Sequence, residues 1–171
     1  ARSWGRRAGG WTTLGTSANA EILPALARLR DRSRDLARNN AYAKKAVQER
    51  RNHIVGAGIL PRFLDHRSTL VKKTKDLWNA WANSTACDAD GLHNFYGLQG
   101  LVQETRDTSG EVLIRRRWRR AEDGLPVPLQ LQVLEPDHLD VTKDGLAAGG
   151  VRLIQGIEYD VIGRRVAYWL H

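Results

Sequence analysis

A pair of asparagines, Asn39 and Asn40, separates two helical patterns and constrains the fold more than any other feature of the sequence. Before the pair, apolar or small residues recur every three or four positions, which is the spacing of a buried helix face. After it, a second pattern covers residues 41–55, where Asn40 is suited to cap the first N–H groups and Gly56 to end the helix. The predicted buried stripes are Leu26, Leu29, Ser33 and Leu36, followed by Ala43, Val47 and Ile54. The stretch therefore predicts two consecutive helices.

The next segments predict a strand and two more helices. Residues 59–64 are mostly apolar and contain a proline, which favours an extended segment. Ser68 is suited to cap a helix over residues 69–85. One apolar face of that helix would comprise Leu70, Thr74, Leu77, Trp78 and Trp81. A further helix is predicted to begin near Leu92.

From residue 110 onward the apolar residues alternate with polar ones, as they do in half-buried strands. Residues 110–120 and 128–136 flank an Asp-Gly turn and predict one hairpin. Residues 151–160 and 164–171 predict a second hairpin. Helices followed by strands indicate an α+β fold, with N-terminal helices ahead of an antiparallel β-meander.

The composition favours a basic globular protein. The 171 residues include 27 Lys and Arg against 19 Asp and Glu, a formal net charge of +8. This excess favours a polyanionic neighbour, most often nucleic acid, or a basic part of a larger assembly. A single cysteine excludes an internal disulfide, and the absence of a signal peptide favours the cytoplasm. No apolar run reaches the roughly 20 residues that a membrane-spanning helix needs, so no membrane partner is expected.

The chain divides into two predicted parts. Residues 1–20 are rich in glycine and lack a helical or strand period, so they predict an N-terminal arm. Trp4 and Trp11 in this arm are suited to dock onto a neighbouring molecule. Residues 21–171 form the predicted α+β segment. Because the sequence lacks methionine and stops within a strand-like run, we expect a fragment that continues beyond residue 171.

The densest positive patch lies on the first predicted strand. Alternate residues of a strand share a face, so one face presents three arginines, Arg115, Arg117 and Arg119. Trp118 lies among arginines on the opposite face, so the strand is suited to hold a phosphate backbone and to stack on a base. Alternatively, this is a charged edge strand in which Trp118 covers the core and Glu122 and Asp123 offset part of the charge.

A second arginine-rich segment precedes the asparagine pair. Asp31 and Asp35 lie three positions before Arg34 and Arg38, respectively. This spacing favours salt bridges along a solvated helix face. A contact with DNA is also possible there, but the pattern is not specific for it.

Two sets of residues resemble metal ligands. Asp88, Asp90 and Gly91 are similar to the start of a calcium loop, but the third carboxylate and the terminal Glu are missing. Capping of the helix near Leu92 explains them better. A closed zinc site needs four ligands, which Cys87 and a scattered set of histidines do not supply. A lone cysteine is more often a small buried hydrophobic residue.

Three acidic residues near the end of the last helix form the remaining catalytic candidate. Glu104, Asp107 and Glu111 cluster in sequence, and paired acids bind Mg²⁺ in nucleases. Residues 56–59 contain two glycines but lead into an extended segment, not into the helix N-terminus that a phosphate loop requires. The residues therefore predict no catalytic site, no cofactor and no metal.

Several motifs in order resemble the lambda-type family of phage portal proteins. The resemblance includes Asn39-Asn40, followed by alanine where relatives often have proline. It continues through the other motifs in the same order, which are V-G-x-G-I, W-x-x-W, CDADG, F-x-x-L-Q, SGEVLIRRR, PLQLQVLEPDHL, I-x-x-GIEYD and the final GRRVAYWLH. The resemblance extends over nearly the whole chain.

The resemblance implies a structural role and not a reaction. Family members form a dodecameric ring at one vertex of the phage head, through which double-stranded DNA enters and leaves without sequence readout. The packaging terminase, the major capsid protein and head-completion proteins are the implied partners, and the virion is the implied location, with assembly in the host cytoplasm. This segment would be the N-terminal, wing-like part, and its interface candidates are Arg115, Arg117, Arg119, Trp4 and Trp11.

The residues by themselves leave two other interpretations open. A free-standing basic domain would bind nucleic acid through the arginine-bearing hairpin. A Mg²⁺-dependent nuclease would use the three acidic residues named above.

Overall fold

The computed structural model describes residues 15–64 and 66–171. The helices are α1 (Ala18–Ile22), α2 (Leu26–Asn39), α3 (Ala41–Ile54), α4 (Ser68–Ala82) and α5 (Phe95–Ser109). The strands are β1 (Leu113–Trp118), β2 (Leu129–Leu134), β3 (Gly145–Leu146), β4 (Arg152–Ile154), β5 (Ile157–Tyr159) and β6 (Arg165–Tyr168). Helices precede antiparallel strands, so the predicted α+β class is confirmed.

The asparagine pair joins α2 to α3 as predicted. The Asn40 side chain accepts hydrogen bonds from the backbone N–H groups of Tyr42 (3.0 Å) and Ala43 (3.1 Å). It thereby satisfies two of the N–H groups that a helix start leaves free. Gly56 adopts a φ of 55° just beyond the end of α3, the left-handed conformation expected of it.

The predicted buried stripe of α2 is wrong for two of its four residues, Leu29 and Leu36, whereas Leu26 and Ser33 are half-buried. Leu29 and Leu36 are 56% and 52% exposed, whereas Arg30 is only 8% exposed. The helix contacts α3 and α5 through a neighbouring face, which includes the half-buried Leu26, Ser33, Arg34 and Ala37. Acidic partners for the arginines lie on this side, so ion pairing and not leucine burial selects the face.

Residues 59–64 do not form the predicted strand, and they lie in an extended, largely exposed connection. The Ile59 N–H donates to Gln99 Oε1 (2.7 Å) and Gln99 Nε2 donates to the Ile59 carbonyl (3.1 Å). The side-chain amide of Gln99 thus makes the two hydrogen bonds to Ile59 that a neighbouring strand would make. Pro61 has no N–H to donate to a neighbouring strand. The following helix begins at Ser68 itself, so Ser68 is not its cap.

The start of α5 also differs from the prediction. Asn94 caps it by accepting a hydrogen bond from the Gly97 N–H (2.9 Å). The Asp88 carboxylate accepts instead from the N–H groups of Leu92 (3.0 Å) and His93 (2.9 Å). These bonds hold the segment in a turn and delay the helix, so Asp88 organises the turn and does not cap α5.

The core lies between α4, α5 and β2. Its buried members are Trp81, Ala82, Cys87 and Leu98, and partly buried residues including Trp78, Phe95, Leu129, Leu131 and Val133 pack against them. The ring centroids of Trp81 and Phe95 are 5.4 Å apart. The Trp81 indole N–H donates to the Leu129 carbonyl (2.6 Å), which fixes β2 over the helices.

The strands form two sheets. Strands β1 and β2 pair antiparallel from Leu113 opposite Leu134 to Trp118 opposite Leu129, which confirms the first hairpin. Strands β3 to β6 form a four-stranded antiparallel meander. The predicted single strand over residues 151–160 is wrong, because Gln155 (φ 50°) and Gly156 (φ 81°) turn the chain between β4 and β5.

None of the helices within the described ranges is long and apolar enough to span a membrane. Residues 1–14, including Trp4 and Trp11, lie outside those ranges. Helix α1 lies across the predicted end of the arm at residue 20, and the division into an arm and an α+β segment stays a prediction.

Candidate nucleic-acid and subunit interface

The hairpin places the predicted arginine row on one face. Arg115 lies opposite Gln132 and Arg117 opposite Gln130 in the β1–β2 register. Beyond the end of β1, the Arg119 N–H donates to the Pro128 carbonyl (3.0 Å). The pairing therefore continues to Arg119, and the three arginines alternate along a continuous extended segment.

Gln130 anchors one end of the row, and it was not among the predicted site residues. Its Oε1 accepts from Arg119 Nε (2.6 Å), and its Nε2 donates to the carbonyls of Asp88 (3.0 Å) and Ala86 (3.2 Å). Gln130 orients the Arg119 guanidinium without neutralising it. The alternation PLQLQVL contains the necessary signal, because it places Gln130 and Gln132 on the polar face of β2.

No acidic residue of the described ranges forms an ion pair with the row. Within residues 15–64 and 66–171, Arg115, Arg117 and Arg119 form no salt bridge. Asp123 accepts a hydrogen bond from the Arg120 backbone N–H (3.1 Å) and closes a turn. The predicted offset by Glu122 and Asp123 is therefore not found as direct pairing.

Trp118 does not cover the core, so that part of the alternative interpretation is wrong. It is 72% exposed, although it lies opposite Leu129, whose side chain packs on the core. Strand β2 packs on the helices and β1 lies beside it, so Trp118, at the end of β1, stays outside the core cluster. An exposed indole thus accompanies the arginine row on the other face of the strand.

Two arginines of α2, Arg30 and Arg34, pair with acidic residues outside their own helix. Arg30 reaches Glu111 (3.0 Å) and Asp137 (3.4 Å). Arg34 contacts Glu135 (3.0 Å) and Asp137. The predicted Asp31–Arg34 and Asp35–Arg38 bridges are not among the salt bridges of the described residues. Asp35 accepts instead from Asn39 Nδ2 (2.6 Å).

The interaction between Arg34 and Asp137 favours the charged form of both side chains. The hydrogen bond from Arg34 lowers the pKa of the Asp137 carboxyl below its ordinary value, and the positive charge of Arg30 adds to this shift. The same hydrogen bond to Asp137 raises the pKa of Arg34. Both groups stay charged at neutral pH, and they tie α2 to the segment that follows β2.

The three acidic residues considered for a nuclease each pair with a different arginine. Glu104 contacts Arg51 (3.0 Å) and Asp107 contacts Arg50 (3.0 Å). Glu111 contacts Arg30, as described above. The three acids therefore serve as separate links between elements, and no group of three or more potential metal ligands occurs among the described residues.

Cys87 is fully buried, as predicted for a small hydrophobic residue. Its Sγ contacts the backbone carbonyls of Ser84 (3.4 Å) and His93 (3.8 Å), not the imidazole of His93. Burial raises the pKa of the thiol to about 11, so the neutral form predominates near pH 7.

The sequence matches the family model described as phage portal protein, lambda family, over residues 4–171. The chain belongs to this family. A probable portal protein of Halomonas phage phiHAP-1 is 28% identical over 155 residues, which cover 83% of this chain and 28% of that relative. The portal protein of Escherichia phage N15 is 30% identical and portal protein B of Escherichia phage lambda 28% identical, each covering 64% of this chain and 25% of the relative.

The chain thus spans about a quarter of the length of these relatives. Portal proteins of this family are structural components of the phage particle and form an oligomeric ring in its capsid.

Proposed function

We propose that the chain is the N-terminal, wing-like segment of a portal protein through which double-stranded DNA is packaged into, and ejected from, a phage head. The family match over residues 4–171 carries this proposal. The role is structural and non-enzymatic, and it needs neither a cofactor nor a metal. The paired state of Glu104, Asp107 and Glu111 supports a non-catalytic role, because each acid contacts a different arginine and the three do not form a common metal site among the described residues.

The proposed assembly is a dodecameric ring. Such a ring requires two different patches on each subunit, one for each neighbour. We assign the arginine row Arg115, Arg117 and Arg119 to the DNA or to a neighbouring subunit, and Trp4 and Trp11 to a neighbouring subunit. The terminase, the major capsid protein and head-completion proteins are the further partners. The protein would be assembled in the host cytoplasm and retained in the virion.

Sedimentation velocity of the complete gene product, at moderate and high salt, tests the ring. A single large species near the mass of a dodecamer is expected at both salt concentrations. A monomer at both would overturn the proposal. Replacing Trp4 and Trp11 with serine should weaken assembly, whereas the same change at the exposed Trp118 serves as a matched control for loss of a surface indole.

One observation favours a second candidate, a free-standing domain that binds nucleic acid. The row of arginines, which has no ion pair with a residue in the described part of the chain, and the exposed Trp118 provide cations and an aromatic surface on one strand. This candidate predicts tight, salt-sensitive DNA binding by a monomer. Fluorescence anisotropy with labelled duplex and single-stranded DNA separates it from the portal proposal, in which a ring forms without DNA.

A further inference from the structure

The chain enters the β3–β6 sheet once, through the turn at residues 135–138 that follows β2. Neighbouring strands of this sheet contact one another far more than they contact the described helices or the β1–β2 hairpin. The buried core cluster lies on the helical side of the turn. A cleft of about 720 Å³ separates α1 from β3 and β4, and one of about 680 Å³ separates the start of β1 from the end of the sheet. Side-chain packing therefore does little to fix the orientation of the sheet.

The far side of the turn belongs to the sheet. The His171 N–H donates to the His138 carbonyl (3.0 Å), and the Asp140 N–H donates to the Trp169 carbonyl (2.8 Å). Leu139 lies between these two bonds and is only 7% exposed. From residue 138 onward, the backbone is therefore bound to the sheet and moves with it.

The near side of the turn is held to α2 by the Arg30–Arg34 cluster, which consists of these two arginines and the acids Glu111, Glu135 and Asp137. Arg34 contacts Glu135 (3.0 Å) and Asp137. Arg30 contacts Asp137 (3.4 Å) and also Glu111 (3.0 Å), just before β1. The two arginine side chains are 7% and 22% exposed, whereas the acids are 50–62% exposed. The arginines are thus fixed on α2, and the acids can exchange them for water and salt ions.

We infer that the Arg30–Arg34 cluster is a salt-sensitive latch that fixes the orientation of the β3–β6 sheet relative to the helices. Asp137, the last acid of the cluster, directly precedes His138, the first residue bonded to the sheet. Pro136 is fully buried and provides a fixed point about which the sheet rotates when the latch opens. A short segment between two folded units is the usual place for such a hinge. The latch acts within one chain, so it does not rest on the proposed ring.

Pulsed electron paramagnetic resonance on the complete gene product tests the latch. Spin labels at Lys73→Cys in α4 and Val161→Cys in the sheet report the distance across the turn, because both positions are exposed. Cys87 is buried and stays unlabelled, and other exposed cysteines are replaced by serine. Dilution with unlabelled wild type keeps most spin pairs within one chain.

Neutralising the latch should release the sheet. Glu135→Gln combined with Asp137→Asn keeps the side-chain shapes but removes the ion pairs with Arg34, so we expect the distance distribution to widen roughly twofold or more. The unsubstituted latch should approach the same width in about 1 M NaCl, because salt screens half-exposed charges. A distribution that is equally narrow in both proteins and at both salt concentrations would overturn the latch.

Two controls separate rotation of the sheet from general loosening. Glu104→Gln combined with Asp107→Asn removes two ion pairs that lie within the helical part, and it should leave the width unchanged. Labels at Lys73→Cys and Tyr42→Cys both lie on helices, and their distance should stay narrow in the latch variant. Equal widening in either control would show that the cluster stabilises the fold as a whole, and the latch would be overturned.

Discussion

Gly58 lies directly against the ring of Tyr96, and this contact fixes the exit from α3 on α5. A Cβ built on Gly58 would lie 2.7 Å from Cγ and 2.8 Å from Cβ of Tyr96, closer than real Cβ contacts come. The φ of Gly58 is 119°, a conformation that residues with a side chain rarely adopt. Two independent effects thus select glycine at this position.

We predict that Gly58→Ala lowers the free energy of unfolding by about 2–3 kcal/mol, through backbone strain and the clash with Tyr96. Gly91→Ala is the control, because Gly91 also has a positive φ (68°) but nothing lies within 4 Å of its added Cβ. It should cost only the strain, about 1 kcal/mol. Urea unfolding measures both, and equal losses would contradict the role of Tyr96.

Arg30 should stabilise the fold through the packing of its buried side chain as well as through its two ion pairs. Its side chain is 7% exposed, whereas its partners Glu111 and Asp137 are about half exposed. Arg30→Ala removes two ion pairs and the packing of the buried stem, so we expect a loss of about 1–3 kcal/mol in urea unfolding. Arg28→Ala, an exposed change in the same helix, should stay within about 0.5 kcal/mol. Similar effects at both positions would refute the proposed role of Arg30.

The local elements near the asparagine pair were predictable because short-range chemistry fixes them. The cap by Asn40 involves residues two and three positions away, and the exit at Gly56 depends on its own backbone. The first hairpin was predictable for a similar reason, since its alternation and turn are local. Each of these features is complete within a few residues of sequence.

The buried face of α2 was not predictable, because its partners are distant. Arg30 lies 81 positions from Glu111 and 107 from Asp137. A helical period identifies leucines as the buried residues, but here long-range ion pairs turn a neighbouring face inward. The exposure of Trp118 was missed for a related reason, since it depends on where β1 lies relative to the helices and not on alternation within β1.

Acid should weaken the link between α2 and the segment after β2. The folded pKa of Asp137 lies below its ordinary value of 3.8, so its carboxylate stabilises the fold above that value. The contribution is lost as the pH falls through the lower folded pKa. Asp137→Asn should therefore lower stability near pH 7 by about 1 kcal/mol or less, since the carboxyl is half exposed.

The difference between wild type and Asp137→Asn should be constant from about pH 7 to 5 and disappear below the folded pKa. Denaturant unfolding across this pH range measures it. Repeating the series in 1 M NaCl should shrink the difference, because salt screens partly exposed charges. A difference that persists unchanged into strong acid would show that the carboxylate charge is not its cause.

The arginine row makes the last prediction, which concerns DNA. If Arg115, Arg117 and Arg119 contact phosphates, replacing all three with alanine should reduce the slope of log affinity against log salt by up to about 3. The control removes the same charge from an exposed face of α4, through alanine at Lys72, Lys73 and Lys75.

Anisotropy titrations with a labelled duplex at several salt concentrations give both slopes. A smaller slope for the arginine variant alone assigns the phosphate contacts to the hairpin. This is the expected result, because Gln130 holds the Arg119 guanidinium in place without neutralising it. Equal reductions in both variants would indicate diffuse attraction by the net charge of +8. An unchanged slope for the arginine variant would show that the row does not contact DNA phosphates. Contact with a neighbouring subunit would then be its remaining proposed role.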